Sequence, residues 1–422
     1  MYCFSFIHIY GQSDGSLDLT FGQNGKVITN LGWNDVALSV AVQADGKIIV
    51  AGLTQDDMGD MDFAVLRYQE NGMLDSSFGI NGVVITDFGG QDWANSVKLQ
   101  NDGKILVAGS TYQNYNTDFA ICRYHSNGIL DYSFGVNGKV TTDFWGFGDE
   151  ANDMLLQPDG KIVVVGTGGY SNFGIARYNT DGSLDTSFNN TGLVIIDFLN
   201  ANAYAWTTEI QSDGKIVVAG TSSPTPYNYF AITRLTKNGH IDNSFGINGK
   251  VITDFGSQNN FAEAMKIQED GKIILAGYSY CFPNYSQDFS IVRYNTDGST
   301  DYTFGNNGFV RTDFGTSDYG YSVAIQNDNK IIVAGYSGYP DSSNFAIARY
   351  NTFGILDSTF GSFGKVTTNF GGMWDFGFSM ILQTDGKIIV AGSSRVERGA
   401  AKLLLPPPRQ TVRAIFPHTA FL

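Results

Sequence analysis

Short apolar stretches, each closed by Gly, Asn or Asp, follow one another along the whole chain without an apolar face at the 3.6-residue helical period. Residues 39 to 52, Ser-Val-Ala-Val-Gln-Ala-Asp-Gly-Lys-Ile-Ile-Val-Ala-Gly, show the pattern most clearly. An apolar run, a two-residue Asp-Gly type turn and a second run rich in Ile and Val predict a β-hairpin. Residues 62 to 68, Asp-Phe-Ala-Val-Leu-Arg-Tyr, alternate as a third strand closed by Asn71-Gly72. The element Leu74-Asp75-x-Ser77-Phe78-Gly79-x-Asn81-Gly82 then leads into a fourth, Val-Val-Ile-Thr-Asp-Phe at 83 to 88.

This set recurs. The Asp of the hairpin turn falls at Asp45, Asp102, Asp159, Asp213, Asp270, Asp328 and Asp385, in steps of 57, 57, 54, 57, 58 and 57 residues. Roughly 55 residues carrying four strands, repeated, is the signature of a propeller blade. Leucine-rich and hexapeptide solenoids have shorter periods, and helical repeats need helix-period faces. Seven hairpins therefore predict an all-β, seven-bladed β-propeller of four-stranded blades.

The ends complement each other. Residues 4 to 10, Phe-Ser-Phe-Ile-His-Ile-Tyr, take the place of a third strand, and Leu17 through Asn30 supply a fourth, whereas residues 379 to 392 give a hairpin that has no third strand after it. The expectation is a ring over residues 1 to 392, with a period of about 57, closed by pairing the N-terminal strands with the C-terminal hairpin, which removes exposed edges. A fragment of a longer array is the alternative. Residues 393 to 422 diverge into a basic tail holding four of the nine prolines. Such a tail is expected to be poorly ordered or laid over the surface; an altered reading frame and a contact with an acidic partner are the other readings.

A formal net charge of −15 argues against nucleic acid or an acidic membrane surface as partner. Much of that acidity is architectural: beside the turn aspartates stand Asp18, Asp75, Asp131, Asp185, Asp242, Asp301 and Asp357, and Asp87, Asp143, Asp197, Asp254 and Asp313 precede the Phe that closes the fourth-strand element. Cys3, Cys122 and Cys281 lie at unrelated repeat positions, so neither a disulfide framework nor a metal cluster of cysteines is expected. No apolar run is long enough for a transmembrane segment, and residues 1 to 10 lack the basic start and cleavage site of a signal peptide. A monomer is expected.

The string Leu-Asp-x-Ser/Thr-Phe-Gly-x-Asn-Gly-Lys-Val-x-Thr-Asp-Phe, then Gln-x-Asp-Gly-Lys-Ile-x-Val-Ala-Gly, then Asp-Phe-Ala-x-x-Arg-Tyr, resembles the delta-60 repeat of bacterial, often secreted or surface, proteins, and covers residues 4 to 392. The hairpin is also similar to the inner strands of NHL-type propellers. The resemblance implies a propeller, an extracellular or cell-surface location, and a family that mostly lacks an assigned activity, so it supplies no catalytic residues.

Positions shared by every copy read as scaffold: a Gln ring from Gln43 to Gln383, Phe wedges from Phe21 to Phe360, and arginines from Arg67 to Arg349 placed to bridge the Leu-Asp carboxylates. Function is expected where copies differ. The loops entering the first strand and following the second share one face of a propeller, and the Asp-Gly turns lie on the other. On the first face stand all five tryptophans, with Phe261 and Tyr319 where a copy lacks one, and many tyrosines. Trp33, Trp93, Trp145, Trp206, Trp374, Tyr115, Tyr227, Tyr280 and Tyr319 are the candidate ligand-binding residues, suited to a glycan or a protein partner. The competing reading is that they cap the core. His8, His125, His240 and His418 are scattered, which leaves Asp35, Asp92, Asp149, Glu150, Asp153, Glu209 and Asp375 as the only acid/base candidates. A non-enzymatic binding module is expected, with a structural surface repeat and a calcium-dependent hydrolase or lyase as alternatives. No cofactor is expected, calcium being the one ion the loop carboxylates suit.

Overall fold

A computed structural model describes residues 1–9, 14–146, 148–198, 201–256, 259–281, 286–339 and 342–395. The basic tail from residue 396 lies outside the described residues, while residues 393–395 end the strand Ile388–Arg395. Every element named is a strand, in the repeated four-stranded antiparallel sheets of a β-propeller.

One repeat shows how the sequence makes the unit. Strands Asn34–Val42, Ile48–Gln55, Met61–Tyr68 and Val83–Thr86 pair antiparallel in that order. The turn joining the first two is longer than the two residues expected. Gly46 N–H bonds Gln43 O at 2.9 Å and Gln43 N–H bonds Lys47 O at 2.8 Å, so Ala44, Asp45 and Gly46 form a three-residue loop ending in a left-handed residue. Glycine fills that place except at Asn329 (φ 61°), and Asn tolerates it too.

Each first strand carries a one-residue bulge, between Ala37 and Ser39 in this repeat and at the matching place in the other six. The bulge explains why the second run ends in Gly. A Cβ on Gly52 would lie 1.8 Å from Val36 O, and on Gly392 1.8 Å from Phe376 O. The bulge also turns polar side chains toward the neighbouring first strand: Val97 N–H donates to Ser39 Oγ (3.1 Å), Met380 N–H to Ser322 Oγ (3.1 Å) and Val40 N–H to Ser379 Oγ (3.3 Å).

Among the described residues the sheets are one of eight strands and five of four. In the largest, Tyr2–Ile9 lies between Lys26–Thr29 and Ile388–Arg395, antiparallel to both, with Tyr2 opposite Arg395 and Ile9 opposite Ile388. The N-terminal strand thus serves as third strand for the C-terminal hairpin. A single bridge from Tyr2 to Asn34 joins this group to the next four strands. Apolar faces of successive sheets pack together around the Phe wedges, of which Phe78, Phe134, Phe188, Phe245, Phe304 and Phe360 are fully buried; each contributes on the order of 1.5–3 kcal/mol through removal from water.

A ladder of buried arginines runs through these interfaces. Arg67, Arg123, Arg177, Arg234, Arg293 and Arg349 place Nε 2.7–3.0 Å from Asp75, Asp131, Asp185, Asp242, Asp301 and Asp357. Arg234 shows the full set: Nη1 donates to Thr296 O of the next repeat (2.6 Å), Nη2 to Ser244 Oγ (3.1 Å), and the guanidinium lies 4.7 Å over Phe245. Burial pushes these carboxyls up, but hydrogen bonds from Ser77 and its N–H, with Lys47 and Arg67, overcome it and hold Asp75 at about 2.

At the junction of the chain ends a histidine stands in the ladder. His8 Nδ1 is 3.3 Å from Asp18, its Nε2 meets Gln383 Oε1, and its ring is 4.8 Å from Phe21. Lys387 reaches the same carboxylate at 3.1 Å. Burial lowers the His8 pKa, outweighing Gln383 and Asp18, which favour the proton.

Replacing Arg234 by Met leaves Asp242 buried without its guanidinium and is expected to cost about 3–5 kcal/mol in denaturant titration; a loss below about 1 kcal/mol, the range of exposed pairs, would show that the ladder does not hold the repeats. His8→Arg is expected to stabilise the protein, because Asp18, Thr20, Phe21 and the Glu70 carbonyl occupy the places that serve the other arginines. A histidine with a depressed folded pKa contributes its stability above its unfolded pKa of about 6.5 and loses it as pH falls. The advantage of the Arg variant in melting temperature should therefore widen from pH 7.5 to pH 5, and a pH-independent difference would contradict this account.

Candidate functional site

One aromatic cluster lies between two cavities. Tyr2, Trp93, Tyr278, Tyr321, Tyr336, Phe376 and Phe378 are buried together, with Phe261, Tyr319 and Trp374 packed against them. Ring centroids are 4.7 Å apart for Tyr319 and Tyr336, 4.7 Å for Tyr336 and Phe376, 4.9 Å for Tyr278 and Tyr319, and 6.1 Å for Tyr2 and Trp374, in stacked or edge geometries. All but Trp93 and Tyr112, which share one sheet, come from the sheets that begin at Asn260 and Asp318 and from the group containing both chain ends. The cluster is an arc, not a ring.

On the loop face this arc walls a cavity of about 450 Å³. Tyr2, Tyr319, Tyr336, Tyr339, Trp374 and Phe376 supply the aromatic surface, and Gln287, Ser317 and Ser343 the polar groups. Arg395 stacks 4.5 Å over Trp374 and holds it. Burial pushes the Tyr336 phenol well up, and Tyr321, Tyr319 and Tyr278 add to this, so it stays a neutral donor. Apolar walls with a few fixed polar groups orient an uncharged ligand.

The sequence-predicted residues divide among several places. Tyr319 and Trp374 line this cavity. Trp93, 8% exposed, is core packing. Trp206 does not belong to the loop face: it is the bulge residue of its first strand and lines the central channel. Trp33, Trp145 and Tyr115 are exposed; Trp33 Nε1 donates to Asp57 and Trp145 stands edge-on to Phe144 at 6.3 Å. Tyr227 and Tyr280 are half-buried and away from the cavity wall. Tyr2, Phe376 and Gln287 were missed. Phe376 and Tyr319 are the counterparts of Trp93, each standing nine residues before its turn aspartate and in the same register before the bulge.

The second cavity, about 490 Å³, is the channel between the first strands. Its wall holds all seven bulge residues: Leu38, Asn95, Asn152, Trp206, Glu263, Tyr321 and Phe378. Asn95 and Asn152 donate to Ala151 O and Ala205 O of the neighbouring strands at 2.8 and 2.9 Å. Asp153 pairs with Lys98 at 3.5 Å, and Glu209 with Lys266. Burial lowers the Lys266 pKa, but Glu209 more than reverses it, so the ammonium keeps its charge. These two acid/base candidates are neutralised by their partners. Two glutamines of the ring meet the ladder: Gln211 Oε1 accepts from Arg234 at 3.3 Å and Gln157 Oε1 from Arg177 at 3.5 Å.

Asp35, Asp92, Asp149 and Asp375 are fully buried, and so is Asp318, which sequence reasoning passed over. They cap the loops that cross between repeats, accepting the N–H of Leu31 (2.7 Å), Phe88 (2.5 Å), Phe144 (2.6 Å), Phe370 (2.8 Å) and Phe314 (2.6 Å). Burial raises Asp92, Asp318 and Asp375 to about 6 and Asp149 to about 7. Such values suit a general acid, yet both Asp149 oxygens are occupied by backbone N–H groups, of Phe144 and Gly169.

A family model described as a domain of unknown function (DUF5122) β-propeller matches residues 43–78, 100–134, 157–188, 211–245, 268–304 and 326–360. No curated protein matches the chain. Among solved structures it is similar to PorZ, a bacterial surface component of the type-IX secretion system of Porphyromonas gingivalis, at 11% identity and TM-score 0.47, covering 87% of this chain and 48% of that one. The chain thus spans about half the length of that protein. It is also similar to an ulvan lyase of a new polysaccharide lyase family (11% identity, TM-score 0.41, 80% and 83% covered). A third is the β-propeller domain of the Trilobed protease from Pyrococcus furiosus, described as having an open velcro topology (10% identity, TM-score 0.39, 74% and 81% covered).

Trp93→Ala is expected to destabilise the protein by about 3–5 kcal/mol, the range for emptying a buried aromatic site, whereas Tyr115→Ala, at a residue 96% exposed, should stay within about 0.5 kcal/mol of wild type. Equal effects in thermal or denaturant unfolding would overturn the division between packing and surface aromatics.

Proposed function

We propose that this protein, a member of a repeat β-propeller family, is a non-enzymatic, monomeric binding module whose loop-face cavity takes a sugar residue of a glycan. The scaffold is a ring of seven four-stranded blades ending at Arg395. Backbone hydrogen bonds support this count: the Ser/Thr-Phe element of each copy bonds the turn of the next, from Gly22 N–H to Asn71 O at 2.8 Å through to Gly361 N–H to Asp14 O at 2.6 Å, where the series returns to the N-terminal strands.

The observation that carries the function is the asymmetry of the aromatic arc. Seven near-identical units need identical packing residues, yet only three neighbouring units surround a cavity with stacked rings. Tyrosine and tryptophan faces take the C–H face of a sugar, and the Gln287 amide with the Ser317 and Ser343 hydroxyls offers partners for its hydroxyls. A catalytic reading lacks comparable support, because Asp149 is capped at both oxygens and Asp153 and Glu209 are paired with lysines. The surface location implied by the delta-60 resemblance accords with a glycan ligand.

The test is a glycan array with the full chain, followed by titration of the best ligand against Tyr339→Ala, a wall residue 60% exposed. Affinity is expected to fall about tenfold or more, equivalent to the loss of one aromatic contact of roughly 1.4 kcal/mol, with unchanged melting, while Tyr115→Ala binds as wild type. A blank array, or a Tyr339 variant that binds normally, would refute the assignment.

A further inference from the structure

Three carboxylates from two successive sheets converge at one junction on the loop face. Asp62 lies in the third strand Met61–Tyr68, Asp87 directly follows the fourth strand Val83–Thr86, and Asp92 lies in the first strand of the next repeat, Gln91–Leu99. One oxygen from each lies within 4.8 Å of the others. That distance is the span of two oxygens on opposite sides of an ion coordinated at about 2.4 Å. Asp92 is fully buried; its Oδ2 accepts the Phe88 N–H, the Thr111 hydroxyl beside it favours its charged form, and its Oδ1 makes no hydrogen bond of ordinary geometry. Asp62 Oδ1 is likewise buried without a partner. A buried, unsatisfied carboxylate oxygen is costly, and here two share one junction.

We infer that Asp62, Asp87 and Asp92 form a binding site for a hard divalent cation of the calcium class. All three donors are carboxylate oxygens, which select calcium-like ions over zinc, and the exposed Asp87 leaves room for water ligands to complete six to eight positions. The charged groups around the site are mostly of one sign. Burial raises Asp62 to about 6, helped by Asp87, Asp60 and Asp56, and only Lys139 opposes this; its ammonium donates to the Asp87 carbonyl at 2.5 Å.

The repeats show that the fold does not need the charge. Asp87 Oδ1 caps Gly89 N–H, and in another copy Asn369 Oδ1 caps Gly371 N–H in the same way. At the position of Asp62 other copies carry Asn172 and Asn344. Acidic triads of the same construction recur at Asp118, Asp143, Asp149 and at Asp288, Asp313, Asp318.

The native precedents make Asp62→Asn with Asp87→Asn a fold-preserving test. After chelator treatment at pH 7.5, calcium chloride should bind the full wild-type chain in calorimetric titration and raise its melting temperature by several degrees, with a smaller shift from magnesium. The double variant should bind one ion fewer per chain, show a smaller shift, and melt in chelator at or above wild type, since like-charge repulsion has been removed. Absence of calcium binding by wild type, an unchanged stoichiometry in the variant, or a chelated variant that melts well below wild type would each overturn the site.

Discussion

A buried guanidinium fastens each repeat to the next, save at the chain ends, where His8 stands in its place. Arginine answers three demands at once: Nε meets a carboxylate of its own repeat, Nη1 a carbonyl of the following one, and the flat face a Phe wedge. A lysine could satisfy one of these, because it is a point charge without a fork; the lysines that follow each turn glycine are used that way, approaching the same aspartates from the hairpin side, as Lys215 does at 3.3 Å from Asp242. An ion pair in the interior is stabilising only when its remaining donors and acceptors are satisfied, which is why the Ser or Thr two residues after each aspartate belongs to the unit. The repeat period follows from this geometry, since Arg, Leu-Asp and Phe must arrive at fixed offsets whatever the loops do. His8 is the exception, and it sits where the joint is made by two distant pieces of chain.

A second constraint acts at the channel. The bulge in each first strand pushes one carbonyl so close to the second strand that only glycine fits opposite, which accounts for the Gly that closes the second run of every hairpin. The bulge residue itself is left free to vary. One side of the channel wall carries amides that bond neighbouring strands, and another carries Tyr321 and Phe378, which continue into the aromatic arc. The same local defect thus makes the scaffold uniform and gives the protein a place to differ.

The repeat, its four strands, the Arg to Asp pairing and the pairing partner of the N-terminal strand were all legible in the sequence, because each depends on residues at fixed offsets within a copy. The site was legible only in part. Trp93 and Tyr319 share a register with Phe376, but Trp206 stands two residues further along, at the bulge, and therefore points into the channel; a one-residue insertion in a strand reverses side-chain direction without any compositional sign. Tyr2 reaches the cavity only because its strand is inserted between distant segments. The hairpin turn was read as too short for a related reason: Asp-Gly marks the turn, but Ala44 completes it.

Charge follows the same division between scaffold and surplus. The Leu-Asp carboxylates are held low by arginine, lysine and hydroxyl groups, and the turn aspartates sit beside lysines, so neither set leaves an unbalanced field. The loop-capping aspartates differ, because the backbone N–H and hydroxyl groups that bond their oxygens do not neutralise the charge. Where asparagines replace their neighbours, as at Asn344 and Asn369, the caps persist with fewer charges; where Asp62 and Asp87 remain, the negative charge exceeds what the turn needs. A scaffold that retained acidic residues only for hydrogen bonding would gain by losing that repulsion at every junction, so its persistence at three of them directs attention to a counter-charge from solution.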